Sequence, residues 1–262
     1  MSGTDVSSEE RGFAAARRKL SLRACTLGGL ALVALGTAGC SVKGADNANL
    51  ITGKQVFVAK CGSCHTLARA ETKGIVGPNL DEAFRASIAE GEGRAIVRGI
   101  VEKQIQIPNP EGAMPKNLVS GDKAKDVAAY VSQVTAKPGK DTGLLASAVK
   151  APGSGKPAEE KAGKLSIAAN AQGQLAYETN KATAKPGQVT IEMPNMSGVS
   201  HNIAIETGEG GASEKGSKLG ASQFVSKGTA SVSVNLKPGT YTFFCEAPGH
   251  RAAGMYGTLT VK

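Results

Sequence analysis

Tryptophan is missing from this chain, and aromatic residues make up only 4 % of it. A core built from such a sequence is aliphatic and rich in alanine and glycine. Histidine is nearly missing as well, with three in 262 residues, and there are five cysteines and five methionines. Scarcity of this kind lets every metal-ligating side chain be asked for a role. No basic stripe interleaved with aromatics is present, so the formal charge of +9 does not describe a nucleic-acid surface. The basic excess is spread along the chain and is densest in a Pro/Gly/Lys-rich stretch.

The chemistry starts at Cys61-Gly62-Ser63-Cys64-His65. C-x-x-C-H is an attachment signal for a c-type haem. Positions i, i+3 and i+4 of a helix share one face, so two thiols and an imidazole placed there address the same flat ligand. The cysteines form thioethers to the porphyrin edge and His65 reaches the iron. A zinc site would need another Cys/His cluster in the same domain, and residues 41–200 hold no further Cys or His. A redox dithiol of the thioredoxin kind sits beside a βαβ pattern, which is not apparent here.

Upstream, Arg11, Arg17, Arg18, Lys19 and Arg23 precede an apolar run from Ala24 to Ala38. A basic segment, a short apolar segment and small residues describe an export signal. The run is about fifteen residues, short of the ~20 that span a bilayer. Thr37-Ala38-Gly39-Cys40 resembles the lipobox of bacterial lipoproteins, with Thr where Leu is usual. That resemblance implies a signal over 1–39, lipidation of Cys40 and a tether over 40–47. Arg17-Arg18 also allows a twin-arginine signal. Cys25 lies inside the apolar run and has no chemical role. Either route places the mature protein outside the cytoplasmic membrane.

Between residues 48 and 136 the patterns are helical. Leu50 to Lys60 reads as one helix, with Gly53, Phe57 and Cys61 along a stripe. A second helix is expected from Arg94 to Lys103. A third covers Lys123 to Gln133, with Asp122 as its N-cap. This segment resembles the class I cytochromes c. Gly53-x-x-x-Phe57-x-x-x-Cys61 is similar to the family's N-terminal helix and Asp126-Val-Ala-Ala-Tyr130-Val to its C-terminal helix. The resemblance implies that these helices cross at Gly53. It also implies that the carbonyl of Pro78, in Gly77-Pro78-Asn79-Leu80, accepts a hydrogen bond from His65. The sixth iron ligand is then Met114, in a Pro/Gly loop and the only Met between residues 1 and 193. A His/Met iron has no open position, so electron transfer is expected rather than oxygen chemistry.

Residues 137–164 are rich in Pro, Gly, Ala and Lys without sustained periodicity, and a flexible linker spanning about 30 Å is expected. An apolar island from Gly143 to Val149 could dock on either domain. From residue 165 the texture becomes β, with strands expected at Gln188–Met193, His201–Ile205, Ala230–Leu236, Thr240–Phe244 and Tyr256–Val261. Short strands at this spacing indicate a β-sandwich over 165–262. Met193 and Met196 read as core, and 207–220 as a surface loop.

Cys245, His250 and Met255 lie in one loop between two of those strands, and His201 begins another. Two imidazoles, a thiolate and a weak axial thioether make a type 1 (blue) copper site. The domain resembles the cupredoxins, the plastocyanin, azurin and rusticyanin group. Val199-Ser200-His201-Asn202 is similar to their first ligand strand and Tyr241-Thr-Phe-Phe-Cys245 to their penultimate one. The resemblance gives Asn202 the task of tying the two ligand loops together.

All three histidines are thereby assigned. A second, His-rich copper centre of the nitrite-reductase kind has no ligands left, a binuclear copper centre lacks its second loop Cys, and a hydrolase lacks a His base. The expectation is a non-enzymatic, lipid-anchored electron carrier in a respiratory chain: an all-α cytochrome c domain followed by an all-β Greek-key cupredoxin sandwich, with one haem c and one copper. Its expected partners are redox proteins, namely a quinol-oxidising complex and a terminal oxidase. An accessory electron-entry subunit of a larger respiratory complex, or a haem-based redox or gas sensor, is the alternative.

Overall fold

The computed structural model describes residues 47–213 and 216–262. The expected export signal over 1–39, Cys25 and Cys40, the expected lipidation site, lie outside the described residues. Within them no helix is long and apolar enough to cross a membrane.

The first domain is helical. Helix α1 (Leu50–Lys60) is capped by Asn49, whose side chain accepts from the Ile51 and Thr52 N–H groups. A small antiparallel pair, β1 (Thr66–Leu67) and β2 (Thr72–Lys73), follows the Cys/His motif. Short helices α2 (Leu80–Ala83) and α3 (Arg85–Ala89) lead into α4 (Arg94–Gln106) and α5 (Gly121–Val134). Helix α1 packs on α5 where the sequence offers least bulk. A Cβ on Gly53 would collide with the Asp126 carbonyl oxygen and come within 2.8 Å of Tyr130 Cβ. The rings of Phe57 and Tyr130, both buried, lie 6.3 Å apart beside this crossing.

Two local expectations are corrected here. Helix α5 starts two residues earlier than expected, with Ser120 as its N-cap residue, and Asp122 sits in its first turn and pairs with Lys125 at 3.0 Å. The Cys61–His65 motif follows α1 rather than lying within it. Cys61 is the C-cap residue, and the turn stays helical in pitch through the His65 N–H bond to the Cys61 carbonyl at 2.9 Å.

The first part of the stretch expected as a flexible linker is held against the helical domain, and from Ser154 onward it pairs with the second domain. Asp141 is buried and receives the Lys54 ammonium at 3.0 Å, the Arg69 guanidinium at 3.5 Å and the Tyr130 hydroxyl at 2.8 Å. Lys54 also donates to the Leu145 carbonyl at 2.8 Å, and Gln55 to that of Ala148 at 3.0 Å, which fixes the short helix α6 (Leu144–Ser147). Leu145 and Val149 of the apolar island pack on the helical core, while Leu144 stays exposed. Composition favoured a random connector, but one buried acid able to bind three donors outweighs it.

The second domain is a two-sheet sandwich. One sheet runs in the order β3 (Ala158–Glu159), β5 (Lys181–Ala184), β11 (Tyr256–Val261), β10 (Gly239–Phe244), β7 (Ala204–Thr207), β8 (Lys218–Ala221). The other contains β4 (Lys164–Ser166), β6 (Gly187–Asn195) and β9 (Gly228–Leu236). Alternation along β6 buries Val189, Ile191 and Met193 against Phe243, Leu259 and Val261 of the facing sheet. Tyr241 bonds back to both backbone groups of Lys237, bracing the turn into β10. Three expectations change. His201 forms only an isolated bridge with Val225 ahead of β7; 207–220 contains the start of strand β8; and Met196 is 65 % exposed, not core. From the first described residue onward the chain forms one compact unit.

Candidate metal centres

In the first domain, a cavity of about 380 Å³ opens between α1, α4, α5 and the loops joining them. Its wall carries Cys61, Cys64 and His65, and also Met114, with Phe57, Val101, Ile105 and Val131 among its apolar lining. The His65 Nδ1 lies 2.9 Å from the Pro78 carbonyl. A carbonyl only accepts, so Nδ1 carries the proton and Nε2 keeps its lone pair for a metal. Gly77 lets the backbone lie against that ring, since a Cβ there would come within 2.5 Å of His65 Cε1. Burial, and then the neighbouring Cys64, pushes the Cys61 thiol up to about 12. The cysteines are free and no disulfide competes for them. An apolar slot with two thiols, one oriented imidazole and one thioether on its wall fits haem c. Gln104 Nε2 lies 4.0 Å from the Met114 sulfur, a contact that sequence reasoning missed.

The second centre lies at one end of the sandwich. His201 is fixed by two backbone bonds with Val225, at 3.0 and 2.9 Å. Buried Asn195 binds the carbonyls of Val199 and Val225 at 2.8 and 2.7 Å and so shapes the approach to it. Cys245 follows β10, and its N–H donates to the Met255 carbonyl at 3.1 Å. Between them Met255 N–H closes on the His250 carbonyl at 3.0 Å, leaving α7 (His250–Ala253) as one turn of helix. Cys245 and Met255 are buried, and His250 is partly exposed.

The donor atoms converge. His201 Nδ1 and His250 Nδ1 are 3.1 Å apart, and they lie 3.9 and 3.6 Å from Cys245 Sγ. A point equidistant from the three lies about 2 Å from each, the length of a metal–nitrogen or metal–sulfur bond. Two imidazole lone pairs facing one another repel unless a cation or a proton lies between them. His201 Nε2 is buried without a hydrogen-bond partner among the described residues, so the ring's polar engagement is through Nδ1. Burial, and then His250, brings the His201 pKa down to about 4, which keeps the imidazole in its ligating form. Burial lowers His250 as well. The Cys245 thiol is raised by burial, against the opposing backbone N–H groups of Asn202 and Ala247. Two nitrogens, a buried sulfur and the adjoining buried Met255 form a type 1 copper site.

Around the ligands is a polar frame that the sequence only partly announces. Asn202 Oδ1 accepts from the Glu246 N–H at 2.9 Å, and its Nδ2 donates to the Glu246 carboxylate at 2.8 Å, so the His201 and Cys245 segments are joined. Burial works to raise the Glu246 carboxyl, yet hydrogen bonds from Lys218 and Asn202 hold it below its ordinary value. Tyr177 donates to the Asn202 carbonyl at 2.8 Å. Arg251, next to His250, binds both oxygens of Glu206, the carbonyls of Gly211 and Ser213, and the face of Phe244 at 4.1 Å. Glu206, Lys218 and Arg251 were not legible as site residues, because a charged residue in sequence reads as solvated surface.

A family model described as copper binding proteins, plastocyanin/azurin family, matches residues 164–262, and one described as cytochrome c matches residues 50–135. Plastocyanin of Nostoc punctiforme is 36 % identical over 100 residues, which are 35 % of this chain and 68 % of that protein. Among solved structures, reduced auracyanin of Roseiflexus castenholzii is 24 % identical with a TM-score of 0.35, over 39 % of this chain and 99 % of its own. Rusticyanin of Thiobacillus ferrooxidans is 23 % identical with a TM-score of 0.32, over 42 % of this chain and 84 % of its own. With a cytochrome c domain and a type 1 copper domain, the chain is an electron-transfer protein. Through its second domain it belongs to the plastocyanin/azurin family of copper-binding proteins, fused to a cytochrome c domain.

Proposed function

We propose that this protein relays single electrons between its haem and its copper on the outer side of the cytoplasmic membrane, as a lipid-anchored member of a respiratory chain. The observation that carries the relay is the presence of two complete donor sets for one-electron groups within one compact unit. Haem c and type 1 copper each supply a reversible one-electron change with no bond made or broken. The protein's residues hold the donors still. Pro78 orients His65, while Asn202 and the Arg251–Glu206 pair hold the copper loops. Fixed ligands leave little to rearrange when charge changes, which is what rapid electron exchange requires.

The anchor is Cys40, supported by the basic and apolar run before Thr37-Ala38-Gly39. The partners that suit such a carrier are a quinol-oxidising complex as donor and a terminal oxidase as acceptor. We read the chain as a carrier without catalytic activity: His65 and Met114, both on the wall of the cavity, would hold the iron and would leave it no place for exogenous ligands.

The test is rapid reduction of the copper-loaded protein, following both chromophores over a range of dilution. Equilibration between haem and copper that keeps its rate on dilution supports the relay. Equilibration that slows in proportion to concentration refutes it. Carbon monoxide should leave the reduced native haem untouched; binding without denaturation would favour a sensor instead.

A further inference from the structure

Ile75 is an apolar side chain left outside the core of its own domain, 70 % exposed. The tip of that side chain nevertheless lies against the copper domain. A Cβ placed on Gly249 would come within 2.7 Å of Ile75 Cδ1 and 3.1 Å of its Cγ1. Gly249 has φ +79 and precedes His250, whose Nδ1 faces His201 Nδ1 and Cys245 Sγ. On the haem side, Gly77 lies against the His65 ring and its N–H donates to the Cys64 carbonyl at 2.8 Å. The segment from Ile75 to Gly77 therefore touches the iron ligand at one end and the residue before a copper ligand at the other.

We propose that the Ile75–Gly249 contact is the electronic bridge between the two centres, a role that rests on the relay reading above. The route from the His65 ring through Gly77, Val76 and Ile75 to Gly249 and His250 is covalent apart from two contacts, His65 ring to Gly77 and Ile75 to Gly249. Tunnelling falls steeply across gaps that no atom fills, so a side chain spanning the gap between domains outweighs longer covalent routes through the 137–164 segment. One electron crosses: the centre that gives it is oxidised by one unit, the other is reduced by one, and no proton or bond moves. A second contact keeps the domains in register. A Cβ on Gly173 would lie 2.8 Å from the carbonyl oxygen of Ala59 near the end of α1, and Gln174 donates to the Lys150 carbonyl at 3.3 Å.

Two measurements test the bridge. In the diamagnetic, fully reduced protein, NMR should show a cross-relaxation peak between the Ile75 δ1 methyl and the Gly249 α protons; its absence overturns the proposal. In kinetics, Ile75→Ala should slow the dilution-independent exchange several-fold while leaving both visible spectra and both reduction potentials unchanged, and Ile75→Leu should recover most of the rate. Ile75 belongs to neither core, so folding is not at stake. An unchanged rate in Ile75→Ala, with the exchange present in the parent chain, overturns the bridge alone. A parent chain with no such exchange overturns the relay itself.

Discussion

At the scale of single residues, each centre separates cleanly from the other. Cys245→Ala should remove the thiolate-to-copper absorption of the oxidised protein and leave the haem spectrum as it was. Met114→Ala should change the haem spectrum and lower its potential without touching the copper band, since thioether ligation raises that potential. An unaltered haem in Met114→Ala would show that another group holds the sixth position. The buried His201 gives the copper-free protein a signature in acid. Its folded pKa of about 4 lies below the ordinary value of about 6.5, so the unfolded chain binds the proton more readily. Its contribution to stability is complete above about pH 6.5 and is lost as the pH falls toward 4. Urea midpoints of the copper-free protein should therefore drop across that window, and a midpoint flat through it would contradict the assigned burial. Residues with unusual chemistry were legible in sequence because so few of them exist. Their supports were not: Arg251 and Glu206 are charged residues made interior by one another, and nothing in a linear pattern pairs positions 45 apart.

Elements were legible where a hydrophobic period is regular. Helix α1 and strand β11 fall where the periodicity places them, and β6, β9 and β10 extend the expected strands by few residues. The misses share a cause, which is tertiary pairing overriding local preference. Strand β8 exists because β7 offers an edge, and the 137–149 segment is ordered because Asp141 meets Lys54, Arg69 and Tyr130. Asp141→Ala should thus destabilise the helical domain by about 3–5 kcal/mol, the scale for stranding a buried charge, measured by urea unfolding. A loss within ordinary surface variation would mean that the cluster holds nothing. At the α1–α5 crossing, alanine would add about 1 kcal/mol of helix propensity over glycine. The Cβ, however, would land on the Asp126 carbonyl, and overpacking costs about 1–3 kcal/mol. Gly53→Ala should therefore lower the melting temperature, and a raised one would show that the helices can part without cost.

For the whole molecule, the sequence revealed two domains and two metal chemistries but not their arrangement. Composition cannot show that a lysine-rich connector lies along α1, nor that Ile75 reaches Gly249. Those facts come from one acid with three partners and one glycine with room for a neighbour. They join the two domains into one compact unit, and electron exchange between the centres through those contacts is what the bridge proposal predicts. Any exchange between haem and copper requires both centres in one chain. Metal analysis and absorption spectroscopy of the purified, copper-loaded protein test this most directly. The prediction is a single covalently attached c-type haem and a single copper per chain, the oxidised form showing an intense thiolate-to-copper band. Loss of the haem on denaturing extraction, or copper bound without that band, would contradict it.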